Sequence, residues 1–381
     1  MTDIKTITAI SRSVDPLTAS QELQQQLAHP DISFILFYCS SLYVLDELAL
    51  HMQHAFSALD IVGCTTAGEI TPEGYEQHSI VAIGFSSKHF AINAQMVESM
   101  EKFNLIDAQE TINKLTEACF AKKLTTIKNN TFLLTLLDGL SSDEEQFLVT
   151  LNSASSGIPH FGGSAGDDID LAKTHVFCHG KFFQNAAIVI MVNTTCSFEV
   201  FSCNHIKLPT KKVVVTAAHT ESRTVYELNA EPAALEYARL LNTDVKNLSP
   251  EVFSLHPLAV KVGSQYYIRS IQKVNEDDFS LIFYCAVDVG IVLSAVEMDD
   301  IFYSLENELA RISSKHGQPE LVLACDCFLR RLEIEQKHLV PQAKILQNKY
   351  NITGFNTYGE HIDGTHLNQT FTGVYIARGD E

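Results

Sequence analysis

The chain has 381 residues, 46% of them hydrophobic and 19% charged, which is typical of a globular protein of two or three domains and excludes a disordered one. Its formal net charge of −19 provides no basic surface for nucleic acid or for an anionic membrane. The nine cysteines show no disulfide-framework spacing, Met1 does not begin a signal pattern, and no apolar run is long enough to span a bilayer. We therefore expect an unanchored cytoplasmic protein with reduced thiols.

A unit of apolar strand, helix and glycine-bearing turn recurs three times along the chain. The apolar strands cover residues 34–39, 133–138 and 321–326. About thirty residues further on, the length of a helical crossover plus a second strand, lie the turns 63–69, 162–167 and 354–360, each ending in an acid. A further apolar strand follows each turn, at 79–85, 186–192 and 370–376. Because glycine lets the backbone approach its neighbours closely, the turns predict the place of a pocket as well as the fold.

Other elements are predicted between these landmarks. A helix at 18–28 is expected to pack on the first domain, and Ser142 with Glu145 forms a capping box that would start the helix of the second repeat. Pro341 is expected to divide the third segment into two helices. Residues 279–296 predict a hairpin-like pair of strands.

A domain boundary is expected near residue 225, before a helix whose first turn contains Pro232. The sequence therefore predicts an α/β fold of mixed β-sheets with covering helices, repeated strand–helix–strand units and two closely packed domains. We assign residues 1–29 to an N-terminal segment, 30–224 to the first domain and 225–381 to the second.

Seven stretches, taken in order, resemble the FIST family of bacterial signal-transduction sensors. They are 63–69, 162–167, 226–228, 232–233, 267–269, 325–331 and 354–370. The resemblance covers roughly the whole chain from residue 30 to residue 377. It implies that the two predicted domains are a FIST N-type and a FIST C-type domain.

Within that family the chain resembles NosP, a branch of cytosolic haem proteins that sense nitric oxide. This finer resemblance is based on residues 356–370 and on the lack of an appended output domain. It implies a protein that binds haem b, detects nitric oxide and signals to a partner histidine kinase or cyclic-di-GMP enzyme. The alternative is a FIST sensor without haem that binds a small molecule such as an amino acid. Homo-oligomer formation is left open.

A haem sensor needs an imidazole on the iron and cations for the propionates. His366, between the third glycine turn and the last strand, is the first choice for the iron ligand. His361 is the second choice and His256 the third, and Tyr358 is counted with these cofactor-binding residues.

Arg330 and Arg331 are expected at the end of a strand, where a guanidinium would bind haem propionates or an amino-acid carboxylate bidentately. A salt bridge to Glu333 or Glu360 explains the pair equally well. Arg269 is a second candidate for binding an anion. The remaining predicted pocket residues come from the glycine turns: Gly68, Glu69, Gly163, Asp167 and Glu360.

No pattern for catalysis is found. The glycine turns lack the Gly-Lys-Ser/Thr ending of a nucleotide loop, and Gly163 adjoins Ser164 where a nucleophile elbow requires an intervening residue. Cys325 and Cys327 are expected to point to opposite faces of a strand, one buried and one toward the pocket, with a redox or metal role left open. The sequence therefore predicts a binding protein that is not an enzyme.

Overall fold

The computed structural model describes residues 3–379, so the outermost residues of the predicted terminal segments, 1, 2, 380 and 381, lie outside the described residues. The predicted fold class is confirmed: mixed β-sheets with covering helices are built from a repeated strand–helix–strand unit and form two closely packed parts. We call the three repeats the body, and the segment 204–300, which interrupts the third repeat, the insertion.

The first repeat contains the predicted N-terminal helix, which begins slightly earlier than expected. Asp15 caps it by accepting a hydrogen bond from the Thr18 amide at 2.8 Å, and Pro16 occupies the first turn. The elements of this repeat are β1 Thr6–Ser11, α1 Pro16–Gln26, β2 Ile32–Ser40, α2 Leu45–Ala55, β3 Asp60–Thr66, β4 Glu69–Thr71, β5 Gly74–Glu76 and β6 Ile80–Ser86.

The second repeat follows the same order, but the predicted capping box is wrong. Its helix begins at Glu144 after Asp143, and Glu145 bonds instead to the insertion, because a guanidinium and an amide there hold its carboxylate. A short 3₁₀ turn, Met100–Lys102, precedes α3. The elements are β7 Phe90–Val97, α3 Leu105–Ala121, β8 Thr131–Leu137, α4 Glu144–Ala154, β9 His160–Ser164, β10 Val176–Cys178, β11 Lys181–Phe183 and β12 Ala187–Thr194.

The third repeat starts with β13 Phe198–Cys203 and is then interrupted by the insertion. The insertion forms its own antiparallel sheet, in the order β18-β17-β21-β14-β15-β20-β19. Its elements are β14 Ile206–His219, β15 Thr224–Leu228, β16 Glu231–Pro232, α5 Ala233–Leu241, α6 Pro250–Leu255, β17 Leu258–Val262, β18 Gln265–Arg269, β19 Ile271–Val274, β20 Leu281–Phe283 and β21 Val292–Met298.

The hairpin predicted within 279–296 is wrong. The two strands exist, but β20 pairs with β15 and β19 whereas β21 pairs with β14 and β17. The segment between them buries Cys285 and Val287, so it crosses the core of the insertion and does not turn tightly. Residue 225, the predicted domain boundary, lies within β15; the division at that residue stays a prediction.

The third repeat resumes after the insertion with the two helices predicted on either side of residue 341, and Pro341 lies in the first turn of the second. The elements are α7 Ile301–His316, β22 Pro319–Cys327, α8 Phe328–Gln336, α9 Val340–Tyr350, β23 Ile352–Thr357, β24 Glu360–Ile362, β25 Thr365–Leu367 and β26 Phe371–Ala377. No helix between residues 3 and 379 combines the length and apolarity needed to cross a bilayer.

The three sheets of the body exchange hairpins in a ring. Sheet 1 has the order β1-β6-β2-β3-β10-β11, sheet 2 the order β7-β12-β8-β9-β24-β25, and sheet 3 the order β13-β26-β22-β23-β4-β5. Each sheet therefore holds four strands of its own repeat and a two-stranded hairpin from another. In each, the two strands joined by the helical crossover are parallel. The glycine turn is the point where the chain leaves its own sheet for the next.

One core lies between the inner faces of the three sheets, and each outer face carries its own helices. Along β2, the residues of the central core alternate with residues that pack under α1 and α2: Phe34, Leu36 and Tyr38 against Ile35, Phe37 and Cys39. Burial on both faces explains why the central strands read as continuous apolar runs.

The same alternation corrects the expectation for the cysteine pair. Cys325 and Cys327 face Phe355 and Thr357 at alternate positions of the β22–β23 register. Residues two apart on a strand share a face, so both thiols lie on the same side of the sheet.

Candidate functional site

The three glycine turns meet at one end of the body. They are joined by backbone hydrogen bonds, each written from the amide to the carbonyl: Ala67 to Asn356 (2.9 Å), Gly166 to Thr65 (3.1 Å) and Ser164 to Gly359 (2.8 Å). The carboxyl ends of all three parallel strand pairs therefore point to this end, which is where α/β proteins commonly bind ligands.

In the first and third repeats, the acid of the turn is satisfied within its own repeat. The Glu69 carboxyl accepts hydrogen bonds from Thr66 and from Ser79 (2.6 Å), and Glu360 accepts one from Thr357 and another from the Thr370 amide (3.1 Å). Burial raises the pKa of Glu69 to about 8 and that of Glu360 well above its usual value. These two predicted pocket residues are thus buried inside the turns that they stabilise.

The second repeat departs from this pattern. Its turn hydroxyl, on Ser164, donates to Glu144 of α4 and not to the turn acid. The turn acid, Asp167, instead accepts hydrogen bonds from the Tyr358 hydroxyl and from the backbone amides of residues 171, 172 and 173. The second repeat therefore brings a helix acid to the place that the turn acid fills elsewhere.

Around Glu144 lies a cluster of charged residues where the body meets the insertion. We call Glu144, Glu145, Arg223 and His366 the open cluster. Arg223, just before β15, donates to Glu144 at 2.9 Å and to Glu145 at 2.6 Å. Glu145 also accepts a hydrogen bond from the Ala286 amide at 2.9 Å. His366 on β25 places Nε2 3.7 Å from Glu144 and Nδ1 4.0 Å from Glu145, beyond hydrogen-bond distance.

Several nitrogen atoms of the open cluster are buried without a hydrogen-bond partner among residues 3–379: Nε of Arg223 and both ring nitrogens of His366. An unsatisfied buried polar group costs about 1–3 kcal/mol, so each such group needs an explanation. A bound ligand or ordered water would supply the missing partners.

The charged groups of the open cluster shift each other's pKa values. Burial acts to raise the pKa of Glu145, but His366 and Arg223 hold it below its usual value. Burial opposes the charge of Arg223, yet Glu144 and Glu145 keep its pKa above the usual range. Two carboxyl groups thus face the Arg223 guanidinium and the His366 imidazole, a set that suits a ligand carrying both a cationic and an anionic group.

A second buried network, which we call the closed network, is complete. Arg330 donates to Asp326 at 2.6 Å and to His205 at 2.9 Å, and His205 bonds Glu333 at 2.8 Å. Lys337 donates to Glu333 at 2.6 Å. Arg330 was predicted at a strand end, free for a ligand anion, with Glu333 or Glu360 as the alternative partner. It lies instead inside α8. It is not free for a ligand anion, because Asp326, one helical turn earlier, and His205 already accept its hydrogen bonds.

The family models match nearly the whole chain. The FIST N domain matches residues 33–231, and the FIST C domain matches residues 233–363. The chain belongs to the FIST family. No curated protein matches it. Three residues of the open cluster lie in the FIST N match, whereas His366 lies just beyond the FIST C match.

FIST domains are sensory modules, so this FIST protein is a signalling protein that senses a small ligand. Throughout residues 3–379, no group of three or more histidine, cysteine or acidic side chains is arranged to hold a metal ion.

Of the other predicted site residues of this FIST protein, Arg331 and Gly68 lie at the end of the body where the glycine turns meet. Arg331 lies in α8, donates to Glu335 at 2.8 Å and reaches the Ala67 carbonyl at 3.0 Å. Gly68 (φ +124°) lies against that guanidinium, and a side chain there would collide with it. Arg331 is thus tied to the first glycine turn.

The remaining predictions are scattered. Gly163 packs against Cys325, Arg269 is half-buried on β18, and His256 is exposed after α6. His361 is fully buried on β24, directly opposite His366 in the β24–β25 register. Predicted residues thus supplied only His366 to the open cluster.

The other three members of the open cluster were not predicted from the sequence. Glu144 and Glu145 look like ordinary acids in the first turn of a helix, where the helix dipole favours them. Arg223 follows a polar stretch and carries no local signal. Only the tertiary fold brings them to His366.

Proposed function

We propose that this FIST protein binds its small signal ligand at the open cluster, between the body and the insertion. The observation that carries the proposal is the set of unpartnered buried nitrogens on His366 and Arg223, next to two carboxylates. The ligand would complete these hydrogen bonds and join the two parts of the molecule.

A ligand with both charges suits this site, and an amino acid is the proposed class. Glu144 and Glu145 would bind its ammonium group. Arg223 Nε and one nitrogen of His366 would donate to its carboxylate. Arg330 is not available for this carboxylate, because its partners in the closed network already accept its hydrogen bonds.

The signal would pass to a partner through a change in how the insertion sits on the body. A partner can respond only if it distinguishes the two states by a real free energy, typically about 1–3 kcal/mol. We propose a histidine kinase or a cyclic-di-GMP enzyme for this role and the cytoplasm for the protein. Each of the nine cysteines, all within the described residues, is a free thiol, which supports a reducing compartment.

Haem, with nitric oxide as the signal and membership of the NosP branch, is the second candidate. A buried imidazole with both nitrogens unpartnered fits an iron ligand, and this observation favours His366. Bound haem would supply an iron centre able to take up nitric oxide. Arg330 does not fit as the propionate partner, because Asp326 and His205 satisfy it. Arg223 is the guanidinium next to His366.

Thermal unfolding with each of the twenty amino acids, and an absorption titration with haemin, test the two candidates. A ligand selective for the native state at one hundred times its Kd stabilises it by about 2.7 kcal/mol. We expect an amino acid to raise Tm in the native protein and in an exposed-histidine control, His256→Gln, but not in Arg223→Met or His366→Gln. A Soret band that is lost only in His366→Gln would establish haem instead. If neither probe binds, or binding survives both substitutions, the open cluster is not the ligand site.

A further inference from the structure

A row of residues crosses sheet 2 and ends at His366, a member of the open cluster. Thr135 on β8, Gly162 on β9, His361 on β24 and His366 on β25 are successive register partners. Thr135 lies on the same face of β8 as Leu133 and Leu137, which pack under α3 and α4, so this row lies on the helix side of the sheet.

The other two sheets contain the same row with different chemistry. In sheet 1 it is Phe37, Gly63, Phe177 and Phe182, and in sheet 3 it is Ala324, Gly354, Ile70 and Tyr75. Glycine recurs at the second position, where a Cβ atom would collide with the backbone carbonyl of the preceding residue of the row. In sheet 1 the three phenylalanine rings pack edge to face. Only sheet 2 places threonine and two histidines where the equivalent rows are largely apolar.

Thr135 holds two imidazoles at once. Its hydroxyl lies 2.9 Å from Nε2 of His160 and within hydrogen-bond distance of Nε2 of His361. Both histidines are fully buried, and within the described part of the chain the Nδ1 atom of each lacks a partner. Burial lowers the pKa of His160 to about 4 and that of His361 well below its usual value, so both rings are neutral at pH 7.

Only two arrangements keep the hydroxyl proton in a hydrogen bond, because donation from both rings to Thr135 would leave that proton without an acceptor within residues 3–379. In the first, His160 Nε2–H donates to Thr135, whose hydroxyl donates to His361 Nε2. In the second, every bond in the chain is reversed. The two imidazoles must therefore be opposite tautomers, and His361 Nδ1 carries a proton in the first arrangement and a lone pair in the second.

We propose that Thr135, His160 and His361 form a two-state hydrogen-bond switch behind the ligand site. An acceptor that reaches His361 Nδ1 favours the first arrangement, and a donor favours the second. Each ring keeps one proton throughout, so reversal rotates one hydroxyl, moves each ring proton between its two nitrogens through exchange with water, and releases no net charge. The link to signalling rests on the proposed function, whereas the switch itself does not.

Nitrogen NMR of histidine-labelled protein at pH 7 tests the switch without a known ligand, because the ring-nitrogen signals separate the two tautomers. We expect opposite tautomers on His160 and His361 in the native protein. The isosteric Thr135→Val variant should change the tautomer of at least one ring. His366→Gln, which alters the groups beside His361, should shift the tautomer populations, whereas His256→Gln should not.

Three results would overturn the inference. These are the same tautomer on both rings in the native protein, unchanged tautomers in Thr135→Val, or unchanged populations in His366→Gln. The failure of amino acids and haemin to bind would instead remove the proposed function and leave a switch with opposite tautomers in place, so the two failures are distinguishable.

Discussion

The closed network and the open cluster are built from the same kinds of side chain, an arginine, a histidine and two carboxylates, and each joins the body to the insertion. They differ in completeness. In the closed network, Arg330, His205 and both acids are paired, and Lys337 supplies a second cation. In the open cluster one arginine serves two carboxylates, and His366 bonds to neither.

The difference separates attachment from recognition. A complete buried network holds two parts of a fold together and has no capacity for a further partner. An incomplete one keeps unsatisfied groups at a cost in stability, and such a cost is expected where a ligand binds. Four measurements test whether the two networks differ in this way.

The largest effect is expected from the closed network. Arg330→Met leaves Asp326 buried without its cation and should lower the free energy of unfolding by about 3–5 kcal/mol, measured by urea denaturation. Arg223→Met is the matched change in the open cluster. It should cost about 1–3 kcal/mol, because the Glu145 side chain is 29% exposed and water can hydrate it, while the buried Glu144 keeps the hydrogen bond that Ser164 donates. An equal or larger loss in Arg223→Met would erase the distinction.

The turn acids extend the comparison to carboxyls satisfied by hydroxyls. The pKa of Glu69 is about 8 in the folded protein against 4.5 as its ordinary value, so its contribution is complete below pH 4.5. It is lost as the pH rises through 8, because only the folded state keeps the proton in that interval. The slope from this residue approaches about 1.4 kcal/mol per pH unit. Stability of Glu69→Gln should fall less steeply than that of the native protein between pH 5 and pH 8, and parallel curves would contradict the pKa shift.

A substitution in the polar row of sheet 2 should raise the free energy of unfolding, whereas substitutions in an apolar core usually lower it. His361→Ile copies the isoleucine of sheet 3 and removes an unsatisfied buried nitrogen, so we expect a gain of about 1–2 kcal/mol in the free energy of unfolding. The control is Ile70→His in sheet 3, which should destabilise the protein by at least as much. A clear loss of stability in His361→Ile would show that this histidine serves packing.

The smallest change in stability is expected for substitution of His366. The His366 side chain makes no hydrogen bond within residues 3–379, so His366→Gln should alter the free energy of unfolding by no more than about 0.5–1 kcal/mol. Calorimetry without ligand measures this. A loss of several kcal/mol would place His366 with the closed network.

The sequence predicted the repeated unit because apolar runs and glycine turns are local signals. It could not show that β4 and β5 join sheet 3 while β24 and β25 join sheet 2, because the hydrophobic pattern of a strand does not name its partner. For the same reason, the strands at 281–283 and 292–298 were placed in one hairpin.

The candidate site was predicted only in part, for a similar reason. The meeting of the three turns follows from their equivalence, and His366 was found by its position after the third. Arg330 and Arg331 were misplaced because an arginine pair reads alike whether it faces a ligand or an acid one helical turn away. Comparing Thr135, His361 and His366 with Phe37, Phe177 and Phe182 needs the register of the exchanged hairpins, which no local pattern provides.

The ring of exchanged hairpins also constrains how the molecule can be made. Sheet 3 needs residues 69–76 from early in the chain and 371–377 from its last strand, and sheet 2 needs residues 360–367. During synthesis, sheets 2 and 3 therefore keep open edges until residues 360–377 have left the ribosome. Such distant pairings fold slowly. Removing any one repeat would also leave a hairpin without its sheet and expose an edge of a neighbouring sheet, so no repeat can be removed without exposing unpaired backbone groups.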